Sequence, residues 1–283
     1  SWGLLTAGDR TAVSSFDAAQ ISRFSVGSVA FSSNQQVAGD VSGNGQVTSF
    51  DAAKVAQFAV NLIAHFDVAT ATGSDWKYLR CDTYNSATDH NCTTAQYVHP
   101  SLSGPVNTDN FYAILYGDVT GNWSAGGTGP LAPLAIETDT WPGPVDREVL
   151  RARAASLRPR AADAPPAVLG LEGSGLELAR GETRDLVLSI EDADGIEALD
   201  LAFHYDPSRI AIRSVRPAGL AAGWALHSGG DQGRWRGSLF GLLPLQGDGA
   251  LLVVTVEAIG TRPTPAVPLT VSASANEGRI PVR

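Results

Sequence analysis

The chain has 283 residues, which is long enough for two domains, and its 29 acidic and 20 basic residues give a formal net charge of −9. This balance provides no basic footprint for nucleic acid, and no apolar run reaches the length of a membrane-spanning helix. Methionine is absent, even at position 1, which predicts a processed or trimmed chain from which any signal peptide is already gone.

Composition changes twice along the chain and predicts three regions. Residues 1–127 contain ten Asp and no Glu, whereas residues 128–163 are rich in Pro, Ala and Arg, and residues 164–283 are rich in Leu, Val and Gly. We therefore predict an N-terminal module over 1–127, a linker over 128–163 and a second domain over 164–283.

The N-terminal module contains an internal repeat that predicts two equivalent helices. The stretch VSSFDAAQISRFSVG at 13–27 aligns with VTSFDAAKVAQFAVN at 47–61, at an offset of 34 residues. In the second copy the apolar and small residues recur at helical spacing on one face. Ser or Thr and Asp at the start of each copy supply the capping groups that a helix needs.

Each repeat helix carries a phenylalanine on its polar face. Phe50 falls on that face with Lys54 and Gln57, and Phe16 has the equivalent position in the first repeat. A large aromatic ring on a polar face indicates a contact surface. The alternative is that the ring packs beneath the segment 64–115.

The stretch GDVSGNGQVTSFD, residues 39–51, has the ligand spacing of a calcium loop. Oxygens at positions 1, 3, 5, 7, 9 and 12 supply the hard ligands that calcium requires, and a glycine at position 6 makes the sharp turn. Gly45 stands at that position. We predict a calcium site in this continuous loop, formed by Asp40, Ser42, Asn44, Gln46, Thr48 and Asp51. The alternative is an Asp/Asn/Gly turn that only caps the following helix.

A second loop is divided between the two ends of the N-terminal module. GDVTGNWSAGGTG at 117–129 repeats the start of the loop but ends in Gly, whereas VSSFD at 13–17 repeats only its finish. Trp123 stands at position 6, where a continuous loop needs glycine for its sharp turn. Because this loop is divided between two segments, we expect that need to be relaxed. We predict that the halves form one composite calcium site, the split loop, from Asp118, Thr120, Asn122, Ser124 and Asp17. The alternative is two degenerate half-loops without an ion.

Cys81 and Cys92 are the only cysteines of the chain and are separated by ten residues. This spacing suits a small disulfide-closed loop and lacks the CxxC pattern of a metal site. A disulfide predicts an oxidising, extracellular setting. The alternative is two buried free thiols.

Beyond the N-terminal module, the sequence predicts one short helix and then many strands. Pro144 and Pro159 bound a helix near 145–157 within the linker. Runs such as RDLVLSIED and GALLVVTVEAIG, bounded by Gly, Pro and Asp, predict an all-β sandwich over 164–283. The sequence contains no HExxH, GxSxG or phosphate-binding glycine loop, so we expect no enzymatic activity.

These stretches resemble two families of interacting modules. GDVSGNGQVTSFDAAKVAQFAV resembles the dockerins, and GIEALDLAFHYDPSRIAI, GDGALLVVTVEA and ANEGRIPV resemble the cohesins, which are the known partners of dockerins. The resemblance implies a multidomain chain: a small α-helical calcium-loop domain plus an all-β jelly-roll sandwich of nine strands. An Ig-like spacer is the alternative for the sandwich. In dockerins loop positions 10 and 11 often contact the partner, which with the helical faces above implies partner binding by Ser15, Phe16, Ser49, Phe50, Lys54 and Gln57.

The presence of both modules in one chain predicts self-assembly. A dockerin-like module bound to the cohesin-like sandwich of the next chain is a heterologous contact, which closes rings or extends filaments. We therefore expect a secreted, calcium-stabilised structural subunit of an extracellular filament. One alternative is a cell-surface adaptor that docks other cohesin- or dockerin-bearing proteins to a scaffold. Another is a carbohydrate-binding sandwich with Trp224 and Trp235 as a sugar platform, although core packing of both rings is favoured.

Overall fold

The computed structural model describes residues 9–80, 98–101, 103–106, 109, 111–123, 147–173, 177–260 and 269–283. Cys81, Cys92 and Ser124 lie outside these residues, as does the 128–146 part of the linker. The disulfide and position 7 of the split loop therefore stay predictions.

The described part of the N-terminal module consists of short helices and a two-stranded antiparallel sheet. The elements are a 3₁₀ turn Asp9–Ala12, α1 Ser15–Ser25, α2 Ser33–Gly39, α3 Ser49–Ala59, α4 Asp67–Thr72, β1 Trp76–Arg80 and β2 Phe111–Leu115. Helices α1 and α3 lie where the repeat predicts helices, and they pack against each other. Each is preceded by a hydroxyl residue whose backbone N–H bonds to an aspartate three positions later, a capping box.

Apolar side chains of the two repeat helices form the core of this module. Ile21 of α1 and Val55 of α3 are fully buried, and the rings of Phe58 and Phe66 stack with centroids 4.5 Å apart. Burial of each such side chain contributes roughly 1.5–3 kcal/mol. Because isolated helices of this length are marginal in water, packing rather than intrinsic propensity holds them.

The second domain is a sandwich of two antiparallel sheets. Its strands are β3 Val168–Glu172, β4 Thr183–Glu191, β5 Ala198–Tyr205, β6 Ile210–Pro217, β7 Ala225–Asp231, β8 Arg234–Phe240, β9 Gly249–Ala258 and β10 Leu269–Ala275. The strand orders are β3–β4–β9–β6 and β10–β5–β8–β7. Alternate residues of β4, Leu186, Leu188 and Ile190, point into the core. The prediction of an all-β sandwich is confirmed.

The number of strands differs from the nine that the resemblance implies, because the described residues of the sandwich contain eight. In the described segment 147–167, directly before β3, the one β-bridge is the isolated parallel bridge between Ala167 and Val282. Pro165 and Pro166 immediately precede that bridge and have no N–H group to donate to a ladder. The sheet therefore does not extend toward the linker.

The N-terminal module lies on the β10–β5–β8–β7 sheet. Helix α3 contacts β5 and β8, and helix α1 contacts β7 and β8. Ala198, Phe240 and Leu242 of the sandwich belong to the same apolar cluster as the core residues of the module. One continuous core thus joins the two units and positions the residues of the candidate site.

The helix predicted within the linker is α5, Arg147–Ser156. It lies against the N-terminal module, since Leu150 packs on the apolar cluster and Nη2 of Arg151 donates to the carbonyl of Asn61 at 3.1 Å. None of the described helices, α5 included, is long and apolar enough to cross a membrane.

Replacing Gly117 by alanine should destabilise the N-terminal module. Gly117 has a φ of +88°, and a Cβ there would lie 2.8 Å from the ring of Phe66. Backbone strain and the clash together should lower the free energy of unfolding by about 2–4 kcal/mol, measured with denaturant. Gly73→Ala is the matched control, because φ is +73° but no atom lies within 4 Å. Equal losses in the two variants would contradict the packing of Phe66 against Gly117.

Candidate functional site

The continuous loop is folded around the carboxylate of Asp40. Its Oδ1 accepts hydrogen bonds from the backbone N–H groups of Gly43 at 2.8 Å and Asn44 at 3.0 Å, and its Oδ2 accepts one from Gly45 at 2.8 Å. Gly43 and Gly45 have φ of +77° and +85°, which glycine adopts without strain. The two glycines therefore let the backbone wrap around the first aspartate.

The carboxylate of Asp51 ties the end of this loop to its start. Its Oδ1 accepts a hydrogen bond from the N–H of Ser42 and its Oδ2 accepts one from the N–H of Thr48, each at 2.9 Å. Burial, followed by the negative charge of Glu277, holds the pKa of Asp51 well above its usual value. A bound cation would act in the opposite direction, because it favours the charged carboxylate.

Asp118 arranges the start of the split loop in the same way. Its Oδ1 accepts hydrogen bonds from the N–H groups of Gly121 at 2.7 Å and Asn122 at 3.2 Å, and its Oδ2 accepts one from Trp123 at 3.0 Å. These are the same three loop positions that Asp40 holds in the continuous loop. Burial raises the pKa of Asp118, and the three N–H donors oppose that rise.

Asp17 closes the split loop from the other end of the module. Its Oδ2 accepts a hydrogen bond from the N–H of Ser14 at 2.9 Å, and its Oδ1 accepts two from Thr120, from the N–H at 3.1 Å and the hydroxyl at 2.9 Å. Asp51 makes the equivalent backbone contacts in the continuous loop. Burial and then the charge of Asp118 raise the pKa of Asp17 to about 6. The structure therefore brings Asp17 to Thr120, which is the contact that a composite site requires.

Trp123 occupies position 6 of the split loop without the left-handed backbone that Gly45 has at that position. The finish of this loop comes from residues 13–17, so the sharp turn of a continuous loop is not needed there. The indole instead packs edge-on against Trp76, with ring centroids 4.9 Å apart. The departure from glycine is therefore compatible with the assembled loop.

The ligands that both loops offer fit calcium. Within the ranges that the structure describes, no group of three or more His, Cys, Asp or Glu side chains is placed to hold a metal ion. Either loop would therefore use hydroxyl, amide and carbonyl oxygens beside its aspartates, a mixture that calcium accepts and zinc does not favour. The residues that would hold the ion are Asp40, Ser42, Asn44, Gln46, Thr48 and Asp51 in one loop and Asp118, Thr120, Asn122 and Asp17 in the other.

Three positions predicted to bind a partner contact the sandwich of the same chain. The backbone N–H of Ser49 donates to Oδ1 of Asp200 at 3.2 Å. The ammonium of Lys54 and the amide of Gln57 both donate to Oε2 of Glu197 at 2.8 Å. The Lys54 and Glu197 side chains are only 14% and 21% exposed, so this ion pair is largely shielded from solvent. Helix α3 thus docks on strand β5 and the turn before it.

Phe50 is buried in this contact and is not an exposed ring. It is 2% exposed, and its ring centroid lies 4.8 Å from Nζ of Lys54 and 4.7 Å from the guanidinium carbon of Arg279. An aromatic ring among cations gains cation–π attraction. The polar face of α3 therefore carries an aromatic residue because that face meets charged groups of the sandwich.

The first repeat leaves its equivalent positions open to solvent. Ser15 is exposed, and Phe16 is 44% exposed. Helix α1 meets the sandwich farther along, where the hydroxyl of Ser22 donates to Oγ of Ser238 at 2.7 Å and lies 2.9 Å from Nδ1 of His227. The two copies of the repeat therefore face the sandwich with different positions.

Sequence reasoning missed the sandwich side of this contact. Glu197 and Asp200 interrupt the otherwise apolar run GIEALDLAF, and this interruption was the available signal. Burial raises the pKa of Asp200 to about 6, although hydrogen bonds from Ser49 oppose the rise. Ser22 and Ser238 offered no comparable signal, because a serine pair becomes visible only when the two elements pack.

Trp224 and Trp235 pack against the core of the sandwich. Both are partly buried on its apolar cluster, and the ring of Trp235 stacks on Phe203 with centroids 4.9 Å apart. This placement agrees with the core role that the sequence favours over a sugar platform.

Comparisons with known proteins give matches among solved structures only, since no family model and no curated protein matches. One match is a non-cellulosomal cohesin from the archaeon Archaeoglobus fulgidus, 16% identical over 42% of this chain and 85% of that chain, with a TM-score of 0.34. A cohesin module of a Clostridium perfringens glycoside hydrolase is 11% identical over 42% and 100%, with a TM-score of 0.31. A type I cohesin–dockerin complex from Clostridium thermocellum is 9% identical over 42% and 94%, with a TM-score of 0.35. These TM-scores are too low to support a fold assignment, so the assignment of a sandwich rests on the strand order of the structure itself.

Replacing Asp200 by asparagine should remove one pH-dependent contribution to the docking of the two units. Because the pKa of Asp200 is raised from 3.8 to about 6, its contribution is fully present below 3.8 and is lost as the pH rises through about 6. Asparagine keeps an oxygen acceptor for Ser49 but carries no charge. The stability of the wild type relative to the variant should therefore fall as the pH rises, measured as the free energy of unfolding in calcium.

The control is Asp231→Asn, at an exposed position of β7. This variant should keep the pH profile of the wild type. Identical pH profiles for Asp200→Asn and the wild type would contradict the burial of Asp200 in the contact.

Proposed function

We propose that this chain is an extracellular, non-catalytic docking protein, with a dockerin-like N-terminal module and a cohesin-like sandwich. The observation that carries the proposal is the contact in which Ser49, Lys54 and Gln57 of helix α3 meet Asp200 and Glu197. The resemblance to dockerins implies a partner contact on this same part of the second repeat. The module therefore meets its own sandwich with the surface expected to bind a partner.

Two features of the sequence support an extracellular setting. The spacing of Cys81 and Cys92 suits a disulfide, and disulfides persist in oxidising compartments. Each calcium loop contains only two aspartates, and a low ligand charge suits the modest affinity of extracellular calcium modules.

In this proposal each loop binds one calcium ion. The charge of Asp118 raises the pKa of Asp17, which means that the two carboxylates of the split loop repel each other when both are ionised. Calcium would offset that repulsion and would join the residue at position 17 to the segment 118–122. The ion therefore stabilises the contact between the two ends of the module.

Asp17→Ala should abolish one of the two calcium sites. The variant loses the position-12 carboxylate of the split loop, so calorimetric titration with calcium should give one site fewer than the wild type. Ser15→Ala, a substitution at an exposed neighbouring position, is the control and should keep both sites. An unchanged stoichiometry in Asp17→Ala would reject the composite site.

The same contact formed between chains would assemble a polymer. Every chain carries both surfaces, and repeated contact between unlike surfaces of neighbours gives rings or open filaments. The linker of 36 residues (128–163) contacts the module through Arg151 and the sandwich of the same chain through Arg158, so these contacts must open before the module can reach the sandwich of a neighbour. We therefore propose the head-to-tail filament as the assembled form of this protein and the closed single chain as its unassembled form.

Charge reversal at the Lys54–Glu197 ion pair tests assembly between chains. Lys54→Glu alone and Glu197→Lys alone each oppose like charges at the contact, and either should weaken assembly by roughly 10–100-fold. In an equimolar mixture the helix of each variant can meet the sandwich of the other with opposite charges. Filaments should then return, as seen by sedimentation and negative-stain imaging in calcium.

Arg213→Glu is the control for this experiment, because Arg213 pairs with Glu257 on the other sheet and should not affect assembly. A mixture that stays as dispersed as the single variants would rule out the contact between chains. If filaments return only when Lys54→Glu and Glu197→Lys are combined in one chain, the contact lies within a single chain.

A second candidate function is that of an adaptor for other proteins. The exposure of Ser15 and Phe16 favours it, since the first repeat keeps its predicted partner positions free while the second repeat is occupied. Such a chain would dock cohesin-bearing proteins to a surface scaffold. A purified protein that stays monomeric with and without calcium would favour this candidate over the filament.

A further inference from the structure

Glu277 of the sandwich reaches into the continuous calcium loop of the N-terminal module. Its Oε1 accepts hydrogen bonds from the hydroxyl of Ser42 and the hydroxyl of Thr48, each at 3.0 Å. These are positions 3 and 9 of the loop. The sandwich thus supplies a carboxylate to a loop more than 200 residues away in sequence.

The carboxylate of Glu277 is buried and incompletely paired. Its side chain is 3% exposed, and Oε2 has no hydrogen-bond partner. Nη2 of Arg279 is 3.7 Å away, but the same guanidinium also pairs with Asp67 at 3.2 Å. One guanidinium therefore serves two carboxylates, those of Asp67 and Glu277. Buried charge without full compensation is unfavourable unless a further cation is bound.

The turn that presents Glu277 has a strained backbone. Asn276 and Glu277 have φ of +46° and +60°, a region that residues other than glycine rarely adopt. The side chain of Asn276 holds the turn, because its Oδ1 accepts from the N–H groups of Glu197 and Ala198 at 2.8 and 3.1 Å, and its Nδ2 donates to the carbonyl of Gly195 at 2.9 Å. Strain that the surrounding structure enforces in this way is characteristic of functional sites.

The split loop shows no third carboxylate among its described contacts. The hydroxyls at its positions 3 and 9, from Thr120 and Ser14, donate to Asp17 of the loop itself. In the continuous loop the corresponding hydroxyls lie closer to Glu277, at 3.0 Å, than to Asp40 and Asp51 of the loop itself, at 3.4 and 3.3 Å. The two loops otherwise share the same pattern of backbone hydrogen bonds, so the extra carboxylate distinguishes the loop that faces the sandwich.

We propose that Glu277 is a calcium ligand of the continuous loop, so that one ion is bound jointly by the N-terminal module and the sandwich. This inference rests on the calcium role proposed above for that loop. Among the described residues Asp40, Asp51 and Glu277 are not already placed as a metal-holding group, so their carboxylates must draw together around the ion. The third carboxylate then adds to the ligand charge, which strengthens calcium binding. Linkage is reciprocal, and calcium must therefore strengthen the docking of the two units by the factor by which docking strengthens calcium binding.

The test is Glu277→Gln in the full chain. Glutamine keeps an oxygen acceptor for the hydroxyls of Ser42 and Thr48 and removes only the negative charge. The substitution is made together with Asp17→Ala, so that titration with calcium chloride reports on the continuous loop alone. We expect the Kd for calcium to rise about 10–100-fold relative to Asp17→Ala alone. An unchanged Kd would overturn the proposal, because it would mean that Glu277 only accepts hydrogen bonds from the two hydroxyls, a role that glutamine can also fill.

A second readout follows the docking of the two units directly. Hydrogen exchange of strands β5 and β8 is measured in calcium and in excess chelator. Chelator should speed exchange in the wild type and have a much smaller effect in Glu277→Gln. Glu257→Gln is the matched control, since Glu257 lies on β9 of the other sheet, where it pairs with Arg213, away from the contact with α3 and from the loop. It should keep the calcium response. Equal chelator responses in the wild type and Glu277→Gln would also overturn the proposal.

Asp51→Ala separates this inference from the calcium role on which it rests. If Asp51→Ala loses one calcium ion while Glu277→Gln keeps the original Kd, the shared ligand is wrong and the calcium loop stands. If Asp51→Ala keeps the full stoichiometry, the continuous loop does not bind calcium, and both the proposed role and the inference are rejected.

Discussion

The buried carboxylates of Asp17 and Asp51 are the groups on which the N-terminal module depends. Each stands near the start of a repeat helix, where it accepts a hydrogen bond from the N–H of the capping residue, and each accepts another from the N–H at loop position 3. One side chain therefore joins a helix start to a calcium loop. An ionised carboxylate is unfavourable when buried, and the proposed calcium ions would offset that cost in both loops.

This constraint has a different consequence in each loop. The continuous loop spans neighbouring residues, so Asp51 organises a local turn. In the split loop the contact between Asp17 and Thr120 spans 103 residues, so the same chemistry closes the module end to end. Closing a loop of this length costs more conformational entropy than closing a local turn, although the cost grows only slowly with loop length.

The contact between the N-terminal module and the sandwich is complementary in charge. The sandwich presents three acids, Glu197, Asp200 and Glu277, and the module meets them with the ammonium of Lys54, with N–H and hydroxyl donors, and with the proposed calcium ion. Asp200 accepts from Ser49 at the N-terminus of α3, where the helix dipole favours negative charge. Shielding from solvent strengthens each of these interactions and makes each isolated charge costly. The contact is therefore selective for a surface that supplies matching donors and cations.

The sequence by itself determined the local features of this protein. The repeat with its capping residues located α1 and α3, the Asp and Gly spacing indicated the turns of both loops, and the alternation of apolar residues indicated the sandwich. These features arise from hydrogen bonds and periodicities between residues close in the chain. Only the tertiary structure decided that Phe50 is buried, that Phe16 is exposed and that Glu277 reaches the continuous loop. The contact between Ser42 and Glu277 joins residues 235 positions apart. Burial and contacts of this kind are set only when the helices and the sheet pack against each other.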